Sequence, residues 1–158
     1  MFMSNKRVFL DSSILVEYYK NAATDLLDRL ITEPDCSLHI SQIVLSEYVF
    51  HCLGHDAAKS PLALKTSGKI KETLSYADHA LFLQQFDFLA DDENIISHFI
   101  QLMSSYNLLP NDALILAICK LNQIPALASH DSDFTGVCKQ ENIYLLQSVE
   151  DLEAFLPS

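Results

Sequence analysis

The stretch that most constrains the fold is "LLPNDALILAICKLNQ", residues 108–123, whose middle, positions 113–119, is apolar all round. A helix with no polar face is buried on most of its sides. Directly after it, "IPALAS" reads as a buried strand, and two carboxylates, Asp131 and Asp133, close it off within "SHDSDF". Carboxylates beside a buried strand end are costly unless something pairs with them.

The same strand-then-helix pairing runs through the chain. "RVFLD" reads as a short buried strand with a polar stop at Asp11. "SSILVEYYKN" follows at helical spacing, with Ser12 or Ser13 as its N-cap. Residues 24–33 make a second helix, capped by Thr24 and stopped before Pro34. "SLHISQIV" opens with the alternation of a half-buried strand, and Ser41 can cap the helix "QIVLSEYVFHCL". Residues 54–68 hold two of the three glycines and little periodicity, and read as a loop; Gly54 is expected to end the preceding helix. A helix over roughly 69–85 and a short strand in "FDFLA" come next. "DDENIISHFIQLMSSYN" is a helix with an acidic first turn and with Ile95, Ile96, Phe99, Leu102 and Met103 on one face. "NIYLLQ" is the last strand, with a short helical tail. The alternation implies an α/β three-layer sandwich, in one domain, around a central, largely parallel sheet of four to five strands. Residues 51–85 stand apart as an insertion or clip-like segment.

A chain of 158 residues buries roughly 70% of its unfolded surface. Its formal charge of −11 argues against broad, non-specific nucleic-acid binding by the whole surface. Action on nucleic acid through a divalent metal and a local basic patch stays open. Cys36, Cys52, Cys119 and Cys138 are scattered and form no CxxC pair, so a reducing cytoplasm fits better than a disulfide framework. "MFMSNKRVFLD" has no apolar run long enough for a signal segment, and no stretch reaches membrane-spanning length.

In an open parallel sheet, ligands bind outside the carboxyl ends of the strands, where the strand order reverses. Asp11, Ser41, Asp131 and Asp133 lie at strand ends on that edge. Glu47 and Asp112 lie on helices that begin there. Each acid has an ordinary alternative: Asp11 and Asp112 as helix caps, Glu47 as a solvent-facing residue, Asp131 and Asp133 as Asx-turn formers. Together, though, clustered carboxylates raise one another's pKa unless a cation sits among them. Hard oxygen ligands without cysteine suit Mg²⁺ or Mn²⁺, and such a site points to metal-assisted phosphoryl chemistry.

"VFLDSSILVEYY", "ISQIVLSEYVF" and "NDALILAICKLNQIPALASHDSDF" resemble the successive motifs of the PIN-domain nucleases. Asp11 and Ser13 match the first motif, Ser41 and Glu47 the second, Asp112 and Ala113 the third. Ser129, Asp131, Asp133 and Phe134 match the fourth. The resemblance implies a PIN fold and Mg²⁺- or Mn²⁺-dependent cleavage of RNA, with Asp11, Glu47, Asp112 and Asp131 as metal ligands. It gives Ser13 a supporting role and makes Asp133 auxiliary or structural. A chain of this size also looks like the VapC-like toxin of a type II toxin–antitoxin pair, a homodimer silenced by a small antitoxin.

Residues 51–85 match no motif, but Lys59, Lys65, Lys69 and Lys71 there are the candidates for contacts to a phosphate backbone, the alternative being a solvated loop and helix face. The alternatives are a PIN-like RNA-processing nuclease outside a toxin module and a catalytically silent binding module. A haloacid-dehalogenase-type phosphatase resembles Asp-x-Asp at the first strand, where this chain has Ser13. His51 and His55 have the spacing of a zinc pair, but no HExxH surrounds them.

Overall fold

A computed structural model describes residues 5–156. The first four residues of the N-terminal stretch read for a signal segment lie outside them. Among the described residues five strands form one sheet: β1 (Lys6–Leu10), β2 (Cys36–Ser41), β3 (Asp87–Leu89), β4 (Ala126–Ala128) and β5 (Tyr144–Leu146). All neighbours run parallel, in the order β3-β2-β1-β4-β5. The chain thus steps outward from β1 in one direction through β2 and β3, then in the other through β4 and β5. Right-handed crossovers in opposite directions lay helices on both faces of the sheet. The three-layer parallel sandwich expected from the alternation is the fold.

Among the described residues ten helices make the connections: α1 (Ser12–Tyr19), α2 (Asp25–Thr32), α3 (Gln42–Ala57), α4 (Pro61–Ser67), α5 (Ile70–Leu74), α6 (His79–Leu83), α7 (Ile95–Tyr106), α8 (Pro110–Leu121), α9 (Phe134–Gln140) and α10 (Val149–Phe155). The core sits where the pattern places it. Val8, Phe9 and Leu10 of β1 and all three residues of β4 are fully buried. In α8, Ala113 and the run from Ile115 to Cys119 are buried, as an all-apolar helix requires. Burying each large side chain of this set contributes about 1.5–3 kcal/mol.

Several local expectations change. Residues 54–68 are not a loop. Helix α3 passes through Gly54 to Ala57, and Ala58 turns the chain in the left-handed region (φ 50°). Helix α4 then starts with Pro61 at its first position, where proline's missing N–H loses nothing. Ser60 Oγ accepts the Ala63 N–H (3.2 Å), and Gly68 closes the helix at φ 69°. These cap signals outweigh the weak periodicity. The single helix over 69–85 is two short ones, because Asp78 starts a new helix by accepting the Leu81 N–H (2.9 Å). The acids expected in the first turn of α7 precede it: Asp92 Oδ1 accepts from the Asn94 backbone and side chain, both at 2.8 Å. Ile96 is 66% exposed and so leaves the packed face on which Leu102 sits. Thr24 and Ser41 occupy N-cap positions without making the side-chain cap bond.

All four cysteines are free thiols. Among the described residues no helix is long and apolar enough to cross a membrane.

Candidate active site

The carboxyl edge of the sheet, at the reversal between β1 and β4, is where the acids meet. Register pairs Leu10 with Ala128, and the Asp11 N–H extends the ladder to the Ala128 carbonyl (3.0 Å). Asp11 and Ser129 therefore stand level on adjacent strands, and Ser129 Oγ donates to Asp11 Oδ2 (2.7 Å). Ser13 Oγ donates to the same oxygen (2.6 Å). With two hydroxyl donors on one oxygen and 5% exposure, the Asp11 carboxylate is fixed in place. The two hydroxyls are held in turn by backbone: His130 N–H donates to Ser13 Oγ and Asp131 N–H to Ser129 Oγ, each at 3.0 Å. Asp11 occupies the N-cap position of α1 in place of Ser12 or Ser13, yet its side chain makes no cap bond. Its carboxylate is turned to the cleft.

Glu47 is half-buried rather than solvent-facing, on the second turn of α3. Its Oε2 accepts from Ser12 Oγ (3.0 Å) and its Oε1 from Asn111 Nδ2 (2.6 Å). Neither Ser12 nor Asn111 is legible as a site residue in the sequence. Each is simply the polar neighbour of a carboxylate, on a different helix from the one it holds.

Asp112 is the third residue of α8, behind the N-cap Leu109, so it does not cap that helix. Burial pushes its pKa up to about 6, and the nearby Asp131, Asp11, Glu47 and Asp133 add to the rise. The Asx turn considered for the last motif is made by Asp131, whose Oδ1 accepts the Asp133 N–H (2.9 Å). Asp133 is exposed at the N-cap of α9. One carboxylate oxygen each from Asp112, Asp131 and Asp133 lie within 4.8 Å of one another. Asp133 thus stands beside Asp112 and Asp131 at the exposed rim of the cluster.

Asp11, Glu47, Asp112 and Asp131 line one cleft of about 290 Å³, along with Lys20 and His51. Lys20 carries no signal in the sequence, and His51 stands out there only for its spacing from His55. The donor set is all oxygen, it is anchored by hydroxyl, amide and backbone donors, and its members raise the Asp112 pKa. That chemistry fits a hard divalent cation. Lys59, Lys65, Lys69 and Lys71 are exposed, lie outside the cleft lining, and include one, Lys69, bound to Glu72 (2.8 Å). His51 lines the cleft while the His55 ring packs edge-on against Tyr19, with ring centroids 6.3 Å apart.

The PIN-domain family model matches residues 8–140. The chain belongs to the PIN-domain family. Its acid cleft lies at the sheet edge where the family motifs converge. Two similar proteins come from Methanocaldococcus jannaschii. Ribonuclease VapC6 is 32% identical over 146 residues, spanning 85% of this chain and 95% of the relative. Ribonuclease VapC2 is 29% identical over 137 residues, spanning 85% and 91%. Among solved structures, VapBC-1 from nontypeable Haemophilus influenzae superposes with a TM-score of 0.59 at 15% identity, covering 88% of this chain and 96% of that one. At that identity the superposition speaks for the PIN fold.

Proposed function

We propose that this PIN-domain protein is a Mg²⁺- or Mn²⁺-dependent endoribonuclease and the toxin of a type II toxin–antitoxin pair. The observation that carries the nuclease reading is the convergence of Asp11, Glu47, Asp112 and Asp131 on one cleft at the carboxyl edge of the sheet. Its M. jannaschii relatives are named as ribonucleases, and structural neighbours are toxin–antitoxin complexes, which supports both halves of the proposal.

In this reading Asp11, Glu47, Asp112 and Asp131 would hold the ion, with Asp133 beside them. The bound ion would acidify a water and offset charge on the scissile phosphate. The chain's own part is preorganisation. Ser13 and Ser129 aim Asp11, Ser12 and Asn111 aim Glu47, and the Asx turn fixes Asp131. Asp112, with its raised pKa, carries a proton at mildly acidic pH and gives it up when a cation is bound. The exposed Lys59, Lys65 and Lys71 are available for contacts further along an RNA strand. A small antitoxin, with a basic segment suited to the −11 charge, a homodimeric state and a cytoplasmic location complete the proposal.

Incubating the full chain with structured RNAs in Mg²⁺ or Mn²⁺ tests the enzyme. Cleavage should fall at least about a hundredfold in Asp11→Asn and Asp112→Asn, in the range that preorganised charge contributes to catalysis. Equal cleavage by wild type and both variants would remove the assignment. Induced expression should arrest growth of a host, and unimpaired growth at high levels of active enzyme would remove the toxin half alone.

A further inference from the structure

The acid cleft poses a problem for an anionic substrate. Five carboxylates, Asp11, Glu17, Glu47, Asp112 and Asp131, line it, and a divalent ion offsets two charges. A phosphodiester entering it meets net repulsion unless other groups receive it. The Ser12 and Ser13 hydroxyls cannot, being committed to Glu47 and Asp11. Two N–H-bearing side chains line the same cleft, Lys20 and His51. His51 follows Glu47 by one helical turn on α3, so both project from the same face. Lys20 is the C-cap residue of α1, whose other end carries Ser12 and Ser13. Helices α1 and α3 pack against each other, so the two side chains share one wall. Among the described residues Lys20 is held only by Glu17, at 3.5 Å, with about a third of each side chain exposed, an ion pair of small worth that a phosphate can displace.

We infer that Lys20 and His51 receive the RNA backbone at the phosphates flanking the scissile bond, and so position the substrate on the acid cluster. This rests on the endoribonuclease reading and replaces the 51–85 lysines as the first phosphate contacts. Neither residue holds the ion, so their loss weakens substrate binding while metal binding stays intact.

The test uses full-length protein and a labelled single-stranded RNA. In steady-state cleavage, Lys20→Ala and His51→Ala should each raise KM about tenfold, as expected for a charge-assisted hydrogen bond, with kcat changing far less. Lys20→Arg should restore KM. RNA affinity measured in Ca²⁺ at several salt concentrations should show a log–log slope shallower by about 0.7 for Lys20→Ala, one phosphate contact fewer on a single strand. Lys139→Ala, an equal charge change outside the cleft, should leave the slope alone, and Mn²⁺ affinity should be unchanged throughout. An unaltered KM and salt slope in Lys20→Ala and His51→Ala, with wild-type cleavage intact, would overturn this inference alone. A slope lowered equally by Lys139→Ala would overturn it too, as would loss of Mn²⁺ binding in either cleft variant. Wild type that neither binds nor cleaves RNA would bring down the nuclease reading itself.

Discussion

Asp112 is the residue whose electrostatics say most about the cleft. Its pKa in the fold is about 6, against an ordinary 3.8, because it is partly buried among other carboxylates. The folded state therefore binds this proton more tightly than the unfolded state does. The resulting stability is fully present below pH 3.8 and is lost as pH rises through about 6. At pH 7 without metal, the ionised Asp112 works against folding by about 1 kcal/mol once solvent screening is allowed for. Asp112→Asn should accordingly melt higher than metal-free wild type at pH 7 by a few degrees, and the gap should close toward pH 4. Added Mg²⁺ should raise the wild-type Tm and leave the variant nearly unmoved. Calorimetry across pH checks both, and a variant less stable than metal-free wild type at pH 7 would contradict the account. At this scale the sequence shows the carboxylates clearly. It hides what holds them: Ser12 and Asn111 reach Glu47 across three helices, a relation that no local spacing encodes.

At the scale of elements, strong periodicity was readable and weak periodicity was not. β1, α8 and β4 follow from uninterrupted apolar runs, since only burial makes such runs stable. Residues 54–68 read as a loop because glycine and proline usually punctuate structure. Here Ser60 and Pro61 start α4 and Gly68 ends it, so the same residues are caps. Gly68 needs its left-handed backbone, and a Cβ there meets nothing within 4 Å, so Gly68→Ala carries backbone strain alone. Gly136 lies inside α9 with ordinary helical φ and open space around it. Gly68→Ala should therefore cost about 1 kcal/mol and Gly136→Ala gain about 0.5–1 kcal/mol. The two substitutions should move Tm in opposite directions by about 2–4 °C each in a chain of this size. Thermal melts that shift the same way would contradict either the left-handed cap at Gly68 or the helical site at Gly136.

At the scale of the whole molecule, the strand order makes the site. Because the chain leaves β1 in opposite directions before and after β3, the edge between β1 and β4 lies open, and residues over a hundred positions apart meet there. The alternation of strands and helices foretold the parallel sandwich. The strand order came only with the structure, because it depends on how the crossovers step across the sheet. The acids' meeting at one edge could be expected from that architecture, while the closeness of one carboxylate oxygen each from Asp112, Asp131 and Asp133, within 4.8 Å of one another, came only with the structure. The central claim is that this edge binds a divalent cation, and calorimetric titration of the full chain with Mn²⁺ tests it most directly. Wild type should bind, Asp112→Asn and Asp131→Asn should bind about 10–100-fold more weakly, and Asp133→Asn should lose less. Absence of Mn²⁺ binding in wild type, or undiminished binding in both Asp112→Asn and Asp131→Asn, would contradict it.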